Sequence, residues 1–510
     1  MREKFSFSHP MFRRKPVSDL HAEMKSRPAL KRVLGPFDLI LMGIGGIIGT
    51  GVFVLSGVAA GLHAGNALPL SFLIAGIACL FAALCYAEFA TMIPVAGSAY
   101  TYCYTALGEI WAWIIGWDLL LEYGLAISAV AIGWSGYFSV LLASAGIILP
   151  PSLSHPFGVD GGIVNVPAIV IVLALTTLLI QGTKKSARTN AIIVAIKIAV
   201  ILLFIVLGIG AIQPANWQPF MPVAGWAGVF SGAAIVFFAF IGFDAVVTAA
   251  EEIKEPQKTL PIGIIGSLVI CMILYVIIGI VLTGIVPYSD LTVPEALNAP
   301  IAFALDRIGY SWGAVIVSIG AICGMTSVLL VMLFGQSRIL FAMSRDGLVP
   351  AVFSAVSEKT HTPANVTLFT GIITALIAGL FPLHIVAELV NIGTLVAFLI
   401  VALGVIILRY QQPGLKRPFR CPAVPVIPLL CIGSCLFLIL HLNPLSHQLF
   451  VLWLFIGLVV YFLYGVNNSS NRMAGKDTQA EPVPCRINPE TPLPGLPELA
   501  ALDPTADLEK

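Results

Sequence analysis

The sequence predicts an all-α polytopic membrane protein, and three observations lead to that fold class. Of its 510 residues, 58% are hydrophobic and only 10% are charged, and its mean hydropathy is +0.97. A typical soluble domain carries about 25% charged residues, so a chain this apolar cannot cover its own surface with polar groups. Apolar runs of about 20 residues, the length that crosses a bilayer core, recur along most of the chain.

The apolar runs divide the chain into about twelve candidate spans. The third and the eighth run exceed one membrane thickness, so we expect these helices to be tilted or to project past the interface. The runs lie near residues 38–58, 67–92, 111–145, 166–181, 189–211, 226–250, 262–286, 311–342, 364–382, 385–409, 424–440 and 448–465.

Lysine and arginine are concentrated on one side of the expected membrane, which predicts the orientation of the chain. With the N-terminus in the cytoplasm, Arg307 is the one basic residue in an outside loop. This asymmetry predicts an even number of spans and places both termini on the cytoplasmic side of the cell membrane. The basic residues in or beside inside loops are Lys184, Lys185, Arg188, Lys254, Lys258, Arg338, Arg345, Lys359, Arg409, Lys416, Arg417 and Arg420.

The runs also suggest a division of the chain into five parts. Residues 1–33 form a basic cytoplasmic segment without the features of a cleavable signal peptide. Spans one to five occupy 34–212, spans six to ten occupy 213–410, and two further spans occupy 411–466. Residues 467–510 are rich in proline and polar residues, which predicts a disordered cytoplasmic tail.

Several classes of function are disfavoured by composition. A net charge of +1 argues against a nucleic-acid partner. The nine cysteines and eight histidines lack the paired spacing of a disulfide framework or a zinc site, so we expect no metal and no cofactor other than a coupling proton. A channel would need pore-lining polar rings, and an enzyme would need convergent catalytic groups; neither pattern is present in the sequence.

The first span contains five glycines between Gly43 and Gly51. Each weakens an α-helix by about 1 kcal/mol relative to alanine. Close helix packing is one interpretation, because Gly45 and Gly49 have GxxxG spacing. The glycines lie all around the helix, however, which favours an unwound segment that lines a cavity.

The sixth span carries a second interruption, in the segment Phe237–Asp244, where Gly242 is followed by an acid at membrane depth. It opens the second set of five spans, as Gly43–Gly51 opens the first. Interrupted segments at matching places in two halves point to the binding site of an inverted-repeat transporter.

Two such breaks can bind both ends of a free α-amino acid. Backbone N–H groups at the start of a half-helix attract a carboxylate, and freed carbonyl oxygens attract an ammonium group. The candidate carboxylate donors are the amides around Gly49, Thr50 and Gly51. The candidate ammonium acceptors are the carbonyl oxygens of Ile47, Phe238, Ala239 and Ile241.

Four ionisable residues lie within apolar runs: Asp118, Glu122, Lys197 and Asp244. Each costs at least about 2.5 kcal/mol at the bilayer centre, so such residues normally face the bundle interior and serve function. Asp118 and Glu122 are four residues apart and share one helix face, as a functional pair or as a hydrogen-bonded structural pair. We include Glu122 among the candidate substrate-binding residues.

Lys197 has no acidic neighbour within its own helix. Its ammonium group could bond to carbonyl oxygens freed near Gly43 and to a hydroxyl on the eighth span such as that of Ser327. Burial disfavours the charged form of a lysine, so a proton can leave and return during a transport cycle. We predict that Lys197 is the proton-coupling group; the alternative is a fixed structural charge.

Several of these segments resemble the amino acid–polyamine–organocation superfamily. The matching runs are GIGGIIGTGVF (43–53), FFAFIGFDAV (237–246) and EEIKEPQKTLPIGI (251–264). GWDLLLEYG (116–124), Lys197 and SRILFAMSRDGLVP (337–350) resemble bacterial members of the cationic amino acid transporter subfamily. The resemblance covers residues 30–465 and implies a LeuT-type five-plus-five inverted repeat within twelve transmembrane helices.

The resemblance implies roles for individual residues. Ile47, Thr50, Gly51 and the span-six carbonyls match the substrate contacts of the family, and Phe238 looks like the aromatic gate above the substrate. Lys197 matches the lysine that replaces sodium, which implies proton coupling. Met325 stands where animal members that carry arginine have smaller residues, so we predict a shortened pocket and small to medium neutral substrates.

The resulting prediction is a proton-coupled symporter of neutral L-amino acids that works by alternating access. The open alternatives are a transporter of cationic amino acids, an amino acid exchanger and, more remotely, an amino acid sensor on the same scaffold. The expected partners are the amino acid and membrane lipid. The sequence leaves room for a small accessory membrane subunit and does not give the oligomeric state.

Overall fold

The computed structural model of the protein describes residues 34–93, 98–159, 161–181, 187–248, 253–355 and 362–469. For residues 98, 187–191, 245 and 248 it describes the backbone alone. The predicted basic segment 1–33 and residues 470–510 of the predicted tail lie outside these ranges. The loop residues Lys184, Lys185 and Lys359 also lie outside them.

The described residues form helices and turns, and their only β-type contacts are two isolated bridges. Short helices cover Ser98–Ala106 and lie within the segment 288–307. The longer helices are α1 (Pro36–Ile47), α2 (Leu68–Met92), α3 (Glu109–Ser144), α4 (Val166–Ile180), α5 (Ala187–Ile209), α6 (Gly225–Val236), α7 (Pro256–Ile285), α8 (Ser311–Arg345), α9 (Ala364–Leu380), α10 (Leu383–Gln411), α11 (Val426–Leu440) and α12 (Pro444–Val460).

The lengths and compositions of these helices are those of a polytopic membrane protein. Among the described residues, seven helical stretches are long and apolar enough to cross a membrane, and shorter apolar helices accompany them. The helices α3 and α8 have 36 and 35 residues, or roughly 50 Å at 1.5 Å per residue. Both exceed a hydrocarbon core of about 30 Å, as the sequence predicted.

Two of the predicted runs are not continuous helices. The run 38–58 contains α1, a non-helical step at Ile48 and a π-helical turn that begins at Gly51. The run 226–250 contains α6, a 3₁₀ turn over Phe237–Phe240 and a non-helical step before the chain becomes helical again at Ala245. Both interruptions are flanked by buried residues, so the backbone irregularity faces protein rather than lipid.

The helices pack in two groups. The first consists of α1, α2, α6 and α7, with α2 and α1 both lying along α7. The second consists of α3, α4, α8, α9 and α10, with α3 lying against both α8 and α10. Helix α5 contacts α8 of the second group and α1 of the first. The two helix breaks belong to the first group and face the second.

Candidate functional site

The last turn of α1, just before the first break, crosses the second break at Gly46 and Gly242. Gly242 has a φ of 108°, a conformation that favours glycine. A Cβ atom on Gly46 would lie 2.9 Å from the carbonyl oxygen of Gly242, and one on Gly242 would lie 2.7 Å from the carbonyl oxygen of Gly46. The two backbones are therefore in direct contact, with no room for a side chain at either position.

The first break is shorter than the sequence predicted. Helix α1 continues through Gly43, Gly45 and Gly46 to Ile47, and the backbone becomes extended at Ile48, with φ −73° and ψ 104°. The early glycines serve packing instead: a Cβ atom on Gly43 would collide with Ser267 of α7. The expectation of unwinding from Gly43 onward is thus corrected. These glycines keep their helical conformation, and they allow neighbouring segments of the same chain to approach.

The second break follows the 3₁₀ turn Phe237–Phe240. Ile241 is extended, with φ −65° and ψ 142°, and Gly242 turns the chain. A Cβ atom on Gly51 would collide with the backbone of Ala239, so the start of the half-helix after the first break lies against the 3₁₀ turn of the second.

A cavity with about 260 Å³ of empty space lies between the breaks and the second helix group. Thr50 is the one polar side chain in its lining, so most of the hydrogen-bonding capacity there is main-chain. The lining residues are Gly46, Ile47, Gly49, Thr50, Gly51, Val130, Phe238, Ile241, Val328 and Met332.

Six of the predicted substrate-binding residues line this cavity, namely Ile47, Gly49, Thr50, Gly51, Phe238 and Ile241. Ala239 lies behind Gly51. Four lining residues were not predicted as substrate contacts: Gly46, which belongs to the glycine-rich part of the first span, Val130 on α3, and Val328 and Met332 on α8. They are apolar residues inside apolar runs, and only the packing of the helices distinguishes them from their neighbours.

Some of the predicted ammonium acceptors already accept one hydrogen bond. The carbonyl oxygen of Ile47 accepts from the hydroxyl of Tyr275 at 3.2 Å. The carbonyl oxygen of Phe238 accepts from the N–H of Ile241 at 3.2 Å. A carbonyl oxygen has two lone pairs, so each retains the capacity for one further donor.

Lys197 lies beside the first break and is fully buried. Its Nζ donates to the carbonyl oxygens of Gly45 at 2.7 Å and Ile48 at 3.0 Å, close to the predicted position near Gly43. Its aliphatic stem packs on Gly324 of α8, where an added Cβ would lie 3.0 Å from Cε. The expected bond to Ser327 is wrong for this structure, because the buried Ser327 Oγ has no hydrogen-bond partner among the described residues.

The intramembrane acids lie away from the cavity lining. Asp118 is fully buried on α3, and its carboxylate faces Gly393 of α10. Glu122 lies one turn further along α3 and is 3% exposed. Asp244 accepts a hydrogen bond from the hydroxyl of Tyr123 at 3.3 Å. The structure brings Glu122 and Asp244 near each other. None of the three acids is among the residues that line the cavity.

Met325 is fully buried and lies behind Thr50 rather than in the cavity lining. The Thr50 hydroxyl donates to the Met325 Sδ at 3.2 Å. Val328, almost one turn further along α8, faces the cavity instead. The α8 segment that contains Gly324, Met325 and Val328 therefore contacts both Lys197 and the first break.

A bundle of apolar helices, two of them broken at a shared cavity lined by main-chain groups, defines a membrane transporter rather than an enzyme. Residues 34–473 match the family described as Amino acid permease. The chain belongs to this family, which confirms its membership of the amino acid–polyamine–organocation superfamily.

Three relatives show how far the similarity extends. The chain is 54% identical to the Branched-chain amino acid permease BcaP of Bacillus subtilis over 462 residues, which cover 90% of this chain and 98% of the relative. It is 49% identical to the Methylthioribose transporter of the same organism, with the same coverage of both chains. It is 39% identical to the vacuolar Cationic amino acid transporter 4 of Arabidopsis thaliana, covering 79% of this chain and 68% of the relative.

Proposed function

We propose that the protein is a proton-coupled symporter of neutral aliphatic L-amino acids, which bind in the cavity at the two helix breaks. The observation that carries this proposal is the lining of the cavity: main-chain groups, apolar side chains and one hydroxyl, with no charged side chain. A ligand that brings its own carboxylate and ammonium groups suits such a lining, because helix-end amides and carbonyls can bind both.

The substrate carboxylate would accept from the N–H groups of Gly49, Thr50 and Gly51. The N–H of Gly49 has no acceptor among the described residues, so it is available to a ligand. The substrate side chain would contact Val328 and Met332. Branched aliphatic side chains are the favoured choice, because two relatives, from Bacillus subtilis and Lactococcus lactis, are named branched-chain amino acid permeases.

Proton coupling would act through one peptide unit. The Nζ of Lys197 binds the carbonyl oxygen of Ile48, and the N–H of the same peptide unit belongs to Gly49. In a trans peptide these two groups point in opposite directions. A protonated lysine that fixes the carbonyl therefore orients the Gly49 N–H on the opposite side for the carboxylate. Loss of the proton weakens the bond at Ile48 and frees this peptide to rotate, which releases the substrate.

The architecture that we propose has twelve spans in the cell membrane with both termini in the cytoplasm. Spans one to five (34–212) and six to ten (213–410) would be inverted repeats, and the last two spans (411–466) would be additions. The placement of one break at the start of each set supports this arrangement, and the distribution of basic residues supports the orientation.

The relative named a methylthioribose transporter favours one second candidate substrate. Methylthioribose is neutral and has neither a carboxylate nor an ammonium group, so it would leave the helix-end amides with weaker partners. The cationic relatives are less similar to this chain, and the apolar lining offers no acid for an arginine side chain.

Uptake by proteoliposomes that contain the purified protein tests this proposal. The panel consists of labelled leucine, isoleucine, valine, alanine, arginine and methylthioribose, each with and without an inward proton gradient. We expect accumulation of the branched-chain amino acids only with the gradient. Accumulation of methylthioribose alone would identify methylthioribose, the second candidate, as the substrate. Exchange without gradient-driven accumulation would indicate an exchanger, and binding without flux would indicate a sensor.

A further inference from the structure

A buried charge cluster joins α2 to the segment that follows α10. Glu88 on α2 has a side chain that is 3% exposed. The guanidinium of Arg409 donates to both of its carboxylate oxygens, from Nε at 3.0 Å and from Nη2 at 2.6 Å. The Nε of Arg417 lies 3.3 Å from Glu88 Oε1, and the backbone N–H of Cys421 donates to Oε2 at 2.8 Å.

Arg417 and Cys421 belong to the connection between α10 and α11, residues 412–425, which we call the strap. The strap is held on α10 by bonds that do not involve α2. Arg417 donates from Nη2 to the carbonyl oxygen of Leu408 in α10 at 3.2 Å and to that of Gln412, at the start of the strap, at 2.9 Å. Arg409 donates to the carbonyl oxygen of Cys421 at 3.0 Å. The strap and the end of α10 are thus bonded to each other. Arg409, Arg417 and the backbone N–H of Cys421 form a cationic socket, which binds the single carboxylate of Glu88 on α2.

The two sides of this contact belong to different helix groups. Helix α2 packs mainly on α7 and α6 of the first group, and α10 packs mainly along α3 of the second group; α2 also contacts α10 and α11 directly. Beyond Glu88, the described polar contact of α2 with the strap is the long bond of 3.4 Å from the N–H of Phe419 to Thr91 Oγ1. The polar link between α2 and the strap is therefore concentrated on the side chain of Glu88.

A buried ion pair contributes little net stability compared with apolar packing, because both charges lose their hydration. Its best attested use is to fix one arrangement of two elements against another. We propose that Glu88 and the socket of Arg409, Arg417 and Cys421 form an ionic latch that holds the two helix groups closed at this end and must open in each transport cycle. This proposal rests on the proposed function, in which the groups move against each other.

Two native cysteines, Cys85 and Cys421, allow the latch to be tested by cross-linking. Cys85, on α2, and Cys421, in the strap, are neighbours, and both thiols are free. A disulfide between them would lock α2 to the strap. In a full-length variant that retains these two cysteines, with the others replaced by alanine, diamide can form the bond: the two thiols lose two protons and two electrons, and diamide becomes its hydrazine.

Leucine uptake is then measured before oxidation, after oxidation and after reduction of the disulfide. The latch predicts at least a tenfold loss of uptake on oxidation and full recovery on reduction. The matched control, the same variant with Cys85→Ser, should not respond to diamide. Undiminished uptake by the cross-linked protein would show that the contact is a permanent anchor and would overturn the proposal.

A second measurement does not depend on transport. The N–H of Cys421 is bonded to Glu88, so its hydrogen exchange reports opening of the latch. Glu88→Gln should speed this exchange at least tenfold while distant amides in α3 stay unchanged. Equal exchange in both proteins would contradict the latch. Absence of leucine uptake by the unoxidised wild-type protein would instead contradict the proposed function alone.

Discussion

Gly46 of α1 and Gly242 beyond α6 meet backbone to backbone, each in the space where the other would carry a Cβ atom. This contact fixes the crossing point of the two broken helices and hence the position of the cavity. A transporter site made of main-chain groups needs such a contact, because any side chain here would separate the two breaks.

Substitution of Gly242 by alanine should destabilise the protein. The residue has a φ of 108°, where a non-glycine residue costs about 1–3 kcal/mol, and the new methyl group would meet the backbone of Gly46. We expect a lower unfolding temperature in detergent, measured by intrinsic fluorescence, and loss of leucine uptake. The control is Gly433→Ala on α11, where the added methyl group meets nothing within 4 Å and alanine favours the helix. An unchanged unfolding temperature for Gly242→Ala would contradict the crossing described above.

Val328 should help to set the size of the accepted side chain. It lines the cavity, so Val328→Leu adds one methylene group to the wall. A single methylene group in an apolar pocket is worth about 1–3 kcal/mol, or 10–200-fold in discrimination. Uptake of isoleucine relative to alanine, measured as a ratio of kcat/KM values, should fall by at least tenfold. Val451→Leu on exposed α12 adds the same group and should leave the ratio unchanged; an unaltered ratio in Val328→Leu would remove Val328 from the side-chain pocket.

Met325 should act on transport through Thr50. Met325→Leu keeps an apolar side chain but removes the sulfur that accepts the Thr50 hydroxyl. A typical net hydrogen bond is worth about 0.5–1.5 kcal/mol, so we expect substrate affinity to fall between twofold and tenfold. In a Thr50→Val background the same substitution should have little effect, because the donor is already absent. Additive effects in the double variant would show that Met325 acts on the substrate independently of Thr50.

The sequence was sufficient to predict the helical membrane fold and both interruptions, because apolar runs and glycine clusters are local signals. It overestimated the first break, since α1 keeps its hydrogen bonds as far as Ile47. The alternative of close helix packing describes the role of Gly43 better, as this residue permits close approach of α7. Local sequence cannot separate a glycine that unwinds a helix from one that packs it.

The other differences arise from tertiary packing. Lys197 was expected near carbonyls of the first break, and the structure selects those of Gly45 and Ile48 because α5 crosses α1 at that depth. The link from Thr50 to Met325 joins residues 275 positions apart, and no local pattern predicts it. Glu88 was not singled out for the same reason: its partners lie more than 300 residues further along the chain.

The most direct test of the central claim is leucine accumulation under an inward proton gradient by the wild-type protein and by Lys197→Met. Lys258→Met, which changes an exposed lysine paired with Glu255, serves as the control. We predict that wild type and Lys258→Met accumulate leucine and lose this ability when a protonophore is added. Lys197→Met should show no response to the gradient, because no proton remains to orient the peptide between Ile48 and Gly49. Full gradient-driven accumulation by Lys197→Met would contradict the account.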